Sequence, residues 1–268
     1  MIDRRTFLAA AAAAFAGACS GGGPGDQSSA SSDPTNSRSA AATSTSTPSP
    51  TTAPTTTVHA PGAPSIFVTR ATNSARKEIA LTFHTDGDVR IAQRLLEGLA
   101  GRAQITCFIV GSWLEANPTW ARKLLDAGHE LANHTYTHPT FTALSPAAMA
   151  TEITRCRDLL VKLTGSGGRY FRPSGTDDGL AQPSAAILQT AGAAGYDYVL
   201  GWDVEPFDYQ DPGGTAVRTR VLDGAKPGSI VSMHFGHSGT ADAIGGILDG
   251  LDRQGLKPVT VSALLGVR

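Results

Sequence analysis

The chain has little charge of either sign, and none of it is concentrated. Its 22 Lys and Arg residues stand against 23 Asp and Glu, a formal net charge of −1. No broad basic field is present to attract nucleic acid, and no run of like charge marks an interaction tail. The chain also lacks an apolar run long enough to cross a bilayer. The stretch from Phe7 to Ala18 is twelve residues long, whereas a spanning helix needs about 20. Preceded by the twin arginine Arg4-Arg5, it reads as the apolar part of an export signal covering residues 1–19. Ala16-Gly17-Ala18-Cys19 resembles a bacterial lipoprotein processing site, with Ala16 where a larger aliphatic residue is usual. The expectation is a lipid anchor at Cys19, with plain cleavage and a secreted product as the alternative.

Residues 20–64 lack the means to form a core. They are dominated by Ser, Thr, Pro, Ala and Gly, and Val58 is their only sizeable aliphatic residue. A flexible linker of this length spans roughly 35–40 Å, enough to hold a tethered domain within a cell wall. A folded domain is expected over residues 65–268, in a chain with 41% hydrophobic content.

That region alternates short apolar runs with helical periodicity, the signature of repeated βα units around a mostly parallel sheet. Strands are expected near Ile79–Phe83, Ile105–Val110, Glu130–Ala132, Tyr170–Arg172, Tyr198–Trp202, Ser229–Met233 and Lys257–Val261. The clearest helices are Ile91–Ala100, with Ile91, Leu95, Leu96 and Leu99 on one face, and Pro146–Leu163, capped by Ser145. Gly128, Gly165, Gly195 and Gly255 follow four helix ends, where positive φ is needed. Seven βα units imply a distorted, incomplete (β/α) barrel of TIM-like type.

In such a barrel the residues suited to chemistry converge. His84, Asp86 and Asp88 follow the first strand, His134 and His138 the third, Arg172 the fourth, Asp203 and Asp208 the fifth, and His234 the sixth. All fall at the C-terminal rim, where barrel active sites are built. The two imidazoles of Asn133-His134-Thr135-Tyr136-Thr137-His138-Pro139 can meet at one divalent ion when the backbone turns between them. Asp86 or Asp88 is the natural third ligand, and zinc the expected metal. Two hydrogen-bonding histidines in a polar loop is the plainer reading.

These segments resemble the motifs of the polysaccharide deacetylases, carbohydrate esterase family 4, also called the NodB homology domain. Asn133 to Pro139 is similar to the family's segment that opens Asn-His-Thr and closes His-Pro, and Thr82 to Asp88 to its T-F-D-D-G. Phe171-Arg172-Pro173-Ser174-Gly175 resembles the arginine-proline motif, Trp202 to Asp208 the tryptophan and aspartate motif, and Ser229 to His234 the last, which ends in a histidine. The resemblance runs from about Ala80 to Leu265. It implies a zinc-type ion held by one aspartate and two histidines, and removal of N- or O-acetyl groups from a cell-wall or related polysaccharide. By position, His134 and His138 become metal ligands and His234 the general acid. Asp208 orients that acid, and Arg172 sets the charge state of the base.

The first motif is one residue longer than the family's, so His84 or Thr85 stands where the catalytic aspartate would be. His84 can accept a proton near neutral pH, as can whichever of Asp86 and Asp88 does not bind the ion. The glycine of the third motif comes one residue early, and Ser232 replaces a leucine in the last. A glycan-binding wall protein that has lost turnover is therefore the alternative, and a barrel amidohydrolase with another amide substrate a third. Trp202 is expected in the core, His237 facing water, and Asp177-Asp178-Gly179 in a polar turn. Cys107 and Cys156 are compatible with a disulfide or with two buried thiols.

Overall fold

The structure is a computed structural model, which describes residues 62–72, 75–176 and 178–267. The expected export signal, Cys19 and nearly all of the Ser/Thr/Pro stretch lie outside the described residues, as does Asp177. Among the described residues no helix is long and apolar enough to cross a membrane.

Among the described residues, eight strands form one sheet: β1 (Ile66–Val68), β2 (Glu78–Thr85), β3 (Thr106–Ile109), β4 (Glu130–Asn133), β5 (Tyr170–Phe171), β6 (Tyr198–Leu200), β7 (Ile230–His234) and β8 (Lys257–Val259). Their order is β1-β6-β5-β4-β3-β2-β7, with every pairing parallel. Ala80 in β2 pairs with Ile230 of β7 and with Val259 of β8. The short β8 therefore occupies the edge of β2 below Thr82, where pairing with β3 begins. The sheet curls but does not close along its length. Its ends are linked by isolated bridges, Val204 to Val231 and Arg70 to Ser229, which makes the barrel incomplete.

The helices are α1 (Val89–Leu99), α2 (Gly111–Ala116), α3 (Thr119–Asp126), α4 (Pro146–Thr164), α5 (Ala185–Ala193), α6 (Gly214–Gly224), α7 (Ser238–Arg253) and α8 (Val261–Leu265). The seven expected strands all appear, and β1 is an eighth. Its three residues are partly exposed, with Ile66 at 44%, so neither alternation nor a long apolar run announces it. Helix α1 begins two residues earlier than its apolar periodicity suggests, because Asp88 caps it by accepting a hydrogen bond from Arg90 N at 2.8 Å. Ser145 caps α4 through Ala148 N at 3.3 Å, and Gly128, Gly165, Gly195 and Gly255 all have positive φ.

Strand alternation sorts the side chains into two layers. From β2, Ile79, Leu81 and Phe83 point outward into the largest cluster, with Leu95 and Leu99 of α1 and Ile244 and Ile247 of α7. Each such fully buried side chain stabilises the fold by about 1.5–3 kcal/mol. The alternate residues point inward. Ala80, Phe108, Ala132, Tyr170, Leu200 and Ile230 fill the barrel, and Val261 and Leu264 of α8 join the same cluster. Further along the strands the inward series turns polar: Thr82 and His84, His134, Arg172, and Ser232 and His234. Cys107 and Cys156 are both buried free thiols, not a disulfide. Burial pushes the Cys156 thiol up to about 12 and that of Cys107 higher still, which makes both poor nucleophiles.

Candidate active site

At the C-terminal rim a cavity of about 220 Å³ is lined by His84, Asp86, His134, His138, Glu205 and His234, with Trp202, Tyr209 and the Pro173–Thr176 segment as walls. The parallel register sets His84 directly across from His234.

Arg172 lies behind His84, outside the cavity lining. It is fully buried, and its guanidinium donates to Thr82 Oγ1 (2.9 Å) and to the carbonyls of Leu200 and Gly201 (both 3.2 Å). It also lies 3.9 Å from the Phe108 ring centroid. Burial lowers its pKa to about 9, which leaves it a cation at neutral pH.

The Arg172 Nη1 atom is 3.2 Å from His84 Nε2, and His84 Nδ1 is 2.9 Å from His234 Nε2. His234 Nδ1 is in turn 2.8 Å from Asp208 Oδ1. Asp208 Oδ2 accepts hydrogen bonds from His234 N (2.8 Å) and Thr240 Oγ1 (2.6 Å). Both ring nitrogens of His84 are thus engaged within the protein. Burial, then the neighbouring His134, pulls the His84 pKa well below the usual histidine value. Burial also works against charge on His234, but the hydrogen bond and charge of Asp208, with help from Asp86 and Glu205, raise its pKa.

The Asn133–Pro139 loop is held in a strained turn. Thr135 and His138 both have positive φ, 67° and 58°, which is costly for a β-branched residue. Asn133 points away from the barrel and accepts from Thr135 N at 2.8 Å while donating to Ile153 O and Tyr196 Oη. Glu152 on α4 accepts from Tyr136 N (2.8 Å), Thr137 N (2.7 Å) and Thr137 Oγ1 (2.8 Å). The turn brings His134 and His138 together, with ring centroids 4.8 Å apart.

Ring nitrogens of His84, His134 and His138 all lie within 4.8 Å of one another. His134 Nδ1 is 2.8 Å from Arg172 O, so it donates there and leaves Nε2 with its lone pair. That Nε2 atom is buried and has no hydrogen-bond partner, a costly state for a polar atom unless something binds it. Such a nitrogen fits a metal ion, and the Arg172 carbonyl that accepts from Nδ1 fixes the right tautomer for it.

The two aspartates of the first motif separate. Asp86 lines the cavity, accepts from Gly236 N at 3.1 Å, and its charge acts on His138 and His234. Asp88 caps α1 and forms an ion pair with Arg90 at 2.6 Å, outside the cavity. Of the two aspartates expected as alternatives for the third ligand, Asp86 lines the cavity and Asp88 does not.

Asp203, also expected at the rim, instead accepts from Ile230 N and Ser229 Oγ and closes the strand end. Trp202 is 5% exposed, as a core residue would be, yet it also walls the cavity. His237 lies at the surface paired with Asp211 at 2.8 Å, and Asp178 accepts from Leu180 N in a turn. Glu205 and Tyr209 were missed. Glu205 lies inside the quoted tryptophan and aspartate motif, three residues after Trp202, and an acidic residue so close to a barrel rim was the available signal. Glu152 carried none, since nothing in α4 marks its contact with the loop.

The sequence model of the polysaccharide deacetylases matches residues 71–199. A peptidoglycan-N-acetylglucosamine deacetylase of Bacillus cereus is 32% identical over 207 residues, covering 75% of this chain and 94% of the relative. A chitooligosaccharide deacetylase of Rhizobium leguminosarum bv. trifolii is 31% identical, covering 71% and 84%. Among solved structures, a CE4 family pseudoenzyme from Bacillus anthracis superposes with a TM-score of 0.66 at 26% identity, covering 75% of this chain and 69% of that one. The chain belongs to the polysaccharide deacetylase family.

Proposed function

We propose that the protein is a metal-dependent deacetylase that hydrolyses the acetamido groups of an N-acetylated cell-wall polysaccharide. The observation that supports this most directly is the buried, unpartnered Nε2 of His134 in a cavity shared with His138 and Asp86. His134, His138 and Asp86 would hold the ion. His84 is near enough to be counted with the two imidazoles, but both its nitrogens already serve Arg172 and His234. Two imidazoles and a carboxylate suit zinc. When bound, the ion would polarise the acetyl carbonyl and favour attack by water.

The chain's own residues supply the rest. Asp208 fixes His234 by two bonds and favours its protonated form, so His234 can give a proton to the departing amine. Trp202 and Tyr209 wall the cavity and offer flat faces to a sugar. The relatives' peptidoglycan and chitooligosaccharide substrates, together with the leader and linker composition, support action outside the cytoplasm, with Cys19 as the lipid attachment point.

The test is acetate release from N-acetylglucosamine polymers and peptidoglycan, with metal content measured on the same preparation. Release should be abolished by chelator and by His134→Ala. A protein purified without metal, and inactive after zinc is added, would count decisively against this reading. The competing reading, glycan binding without turnover, is favoured by the absence of an aspartate at position 84 and by the likeness to a pseudoenzyme. It predicts bound glycan but no acetate.

A further inference from the structure

A hydrolase of this kind needs a group to take the proton from the attacking water. The residue at the expected place, His84, has no nitrogen to offer: Arg172 faces one and His234 the other. Asp86 is the proposed metal ligand, and Asp88 is turned outward with Arg90. Yet the cavity holds one more carboxyl group.

Glu205 lines the same cavity as His84, Asp86, His134, His138 and His234. Its position is fixed from both sides. The preceding residue, Val204, bridges to Val231 in β7, and three residues later Asp208 is bonded to His234. Between them Phe207 adopts a left-handed φ of 54°, strain that a bulky residue tolerates only when its surroundings impose it. Arg220 pins this turn by donating to Pro206 O at 2.9 Å. One Glu205 oxygen, Oε1, accepts from Phe207 N at 3.2 Å, and the other has no protein partner among the described residues.

We infer that Glu205 is the general base of this enzyme, a role moved from the first motif to the fourth. The inference rests on the proposed hydrolytic reading of the site. In the step, the free Glu205 oxygen takes a proton from water as the water oxygen bonds to the acetyl carbon. The carbonyl π pair shifts onto the carbonyl oxygen. On collapse the carbon–nitrogen bond breaks, its electron pair stays on nitrogen, and His234 supplies the proton that completes the amine. Acetic acid and the free amino sugar leave; Glu205 then loses its proton to solvent and His234 takes one up, which restores the enzyme with one water consumed.

Burial, opposed by the Phe207 N–H and reinforced by the charge of Asp208, raises the Glu205 pKa to about 7, while His234 and Arg172 pull it down. A base poised there is half ionised at neutral pH and still basic enough to accept a proton. The charged and titratable groups facing it are thus Asp208, His234 and Arg172, with His84, Asp86, His134 and His138 across the cavity.

The experiment uses the full chain loaded with zinc and compares wild type, Glu205→Gln and Glu205→Ala on a chitooligosaccharide. Glu205→Gln should lower kcat roughly 10²- to 10³-fold, with metal content unchanged and KM altered little. The acid limb of the kcat/KM profile, expected near pH 7, should disappear. Formate should partly restore Glu205→Ala. A second measurement does not need turnover: infrared titration should show a carboxyl group ionising near pH 7 in wild type and absent from Glu205→Gln. The inference is overturned if Glu205→Gln keeps the acid limb, if it changes KM alone, or if no carboxyl titrates near neutrality. Should wild type itself release no acetate, the proposed function fails and any catalytic role for Glu205 goes with it. If wild type is active and Glu205→Gln matches it, the function stands and this assignment falls.

Discussion

His84 Nδ1 lies 2.9 Å from His234 Nε2, and this contact fixes the order of protons across the site. Arg172 has only N–H donors, so His84 Nε2 must accept from it. The His84 proton is then on Nδ1 and points to His234 Nε2, and the His234 proton is on Nδ1 and points to Asp208. Asp208 favours a second proton on His234, but a proton on Nε2 would face the N–H of His84. Charging His234 therefore requires that contact to open toward the cavity.

His84 on this account positions the acid and satisfies the buried guanidinium. His84→Ala should retain bound zinc and lose about 10- to 100-fold in kcat, the range for removing a partner that orients a catalytic imidazole. Metal analysis and steady-state kinetics on the same samples check it. A variant that loses its zinc would make His84 a ligand, as its closeness to His134 and His138 allows.

Asp86 and Asp88 are two residues apart and should behave as unrelated groups. Asp86→Ala should strip the metal and reduce acetate release to background. Asp88→Ala removes the cap of α1, which costs about 1 kcal/mol, and should lower the melting temperature with metal content and activity intact. A zinc-free Asp88→Ala protein would reverse the assignment.

That pair also shows where sequence reading ran out. Ile79, Leu81 and Phe83 alternate with Ala80, Thr82 and His84 in a pattern that fixes which side chains enter the barrel, so the strand, its inward histidine and the rim were all legible. Past Thr85 the chain leaves the strand and alternation stops. Whether Asp86 or Asp88 turns inward then depends on Gly87, whose positive φ of 65° and contact with Gly236 bend the loop. Glu205 was hidden for a related reason. It follows the bridge at Val204, where chain direction is set by pairing with Val231 from 27 residues downstream. Such long-range pairing leaves no local period. By contrast, Asn133, His134 and His138 were readable because a single short loop holds them all.

Stability should depend on pH through the buried histidines. In the unfolded chain a histidine binds its proton near pH 6.5. Burial lowers that value for His129, and lowers it well below for His84 and His134. Below about pH 6.5 the unfolded state therefore holds more protons than the fold, and stability falls until the folded values are passed. The raised groups, His234 and Glu205, act in the opposite sense and lose their contribution as pH rises. His129 isolates the first effect, since it is remote from the cavity and its Nδ1 accepts from Ile105 N at 3.3 Å. The metal-free protein should melt at lower temperature as pH falls from about 7.5 to 5.5. His129→Gln, which cannot charge, should show a shallower fall, and an unchanged slope would exclude His129 as a contributor.

Glu152 gives the sharpest separation between holding the fold and holding the metal. Its carboxylate accepts three hydrogen bonds from Tyr136 and Thr137, in the middle of the turn that joins His134 to His138. Helix α4, which carries Glu152, is anchored independently by Ile153, Cys156 and Leu160, all fully buried. Removing the carboxylate should therefore leave the helix in place and free the turn to relax from the positive φ values of Thr135 and His138. Relaxation moves the imidazoles apart, and zinc affinity should fall about 10- to 100-fold, as for other residues that support metal ligands. Glu152→Gln keeps an acceptor oxygen but loses the charge, and should lie between wild type and Glu152→Ala. Competitive chelator titration gives the affinity, and thermal melting of the metal-free proteins gives the fold. Equal zinc affinity in wild type and Glu152→Ala would mean that the bonds from Asn133, Gly111 and Ser112 suffice to hold the turn.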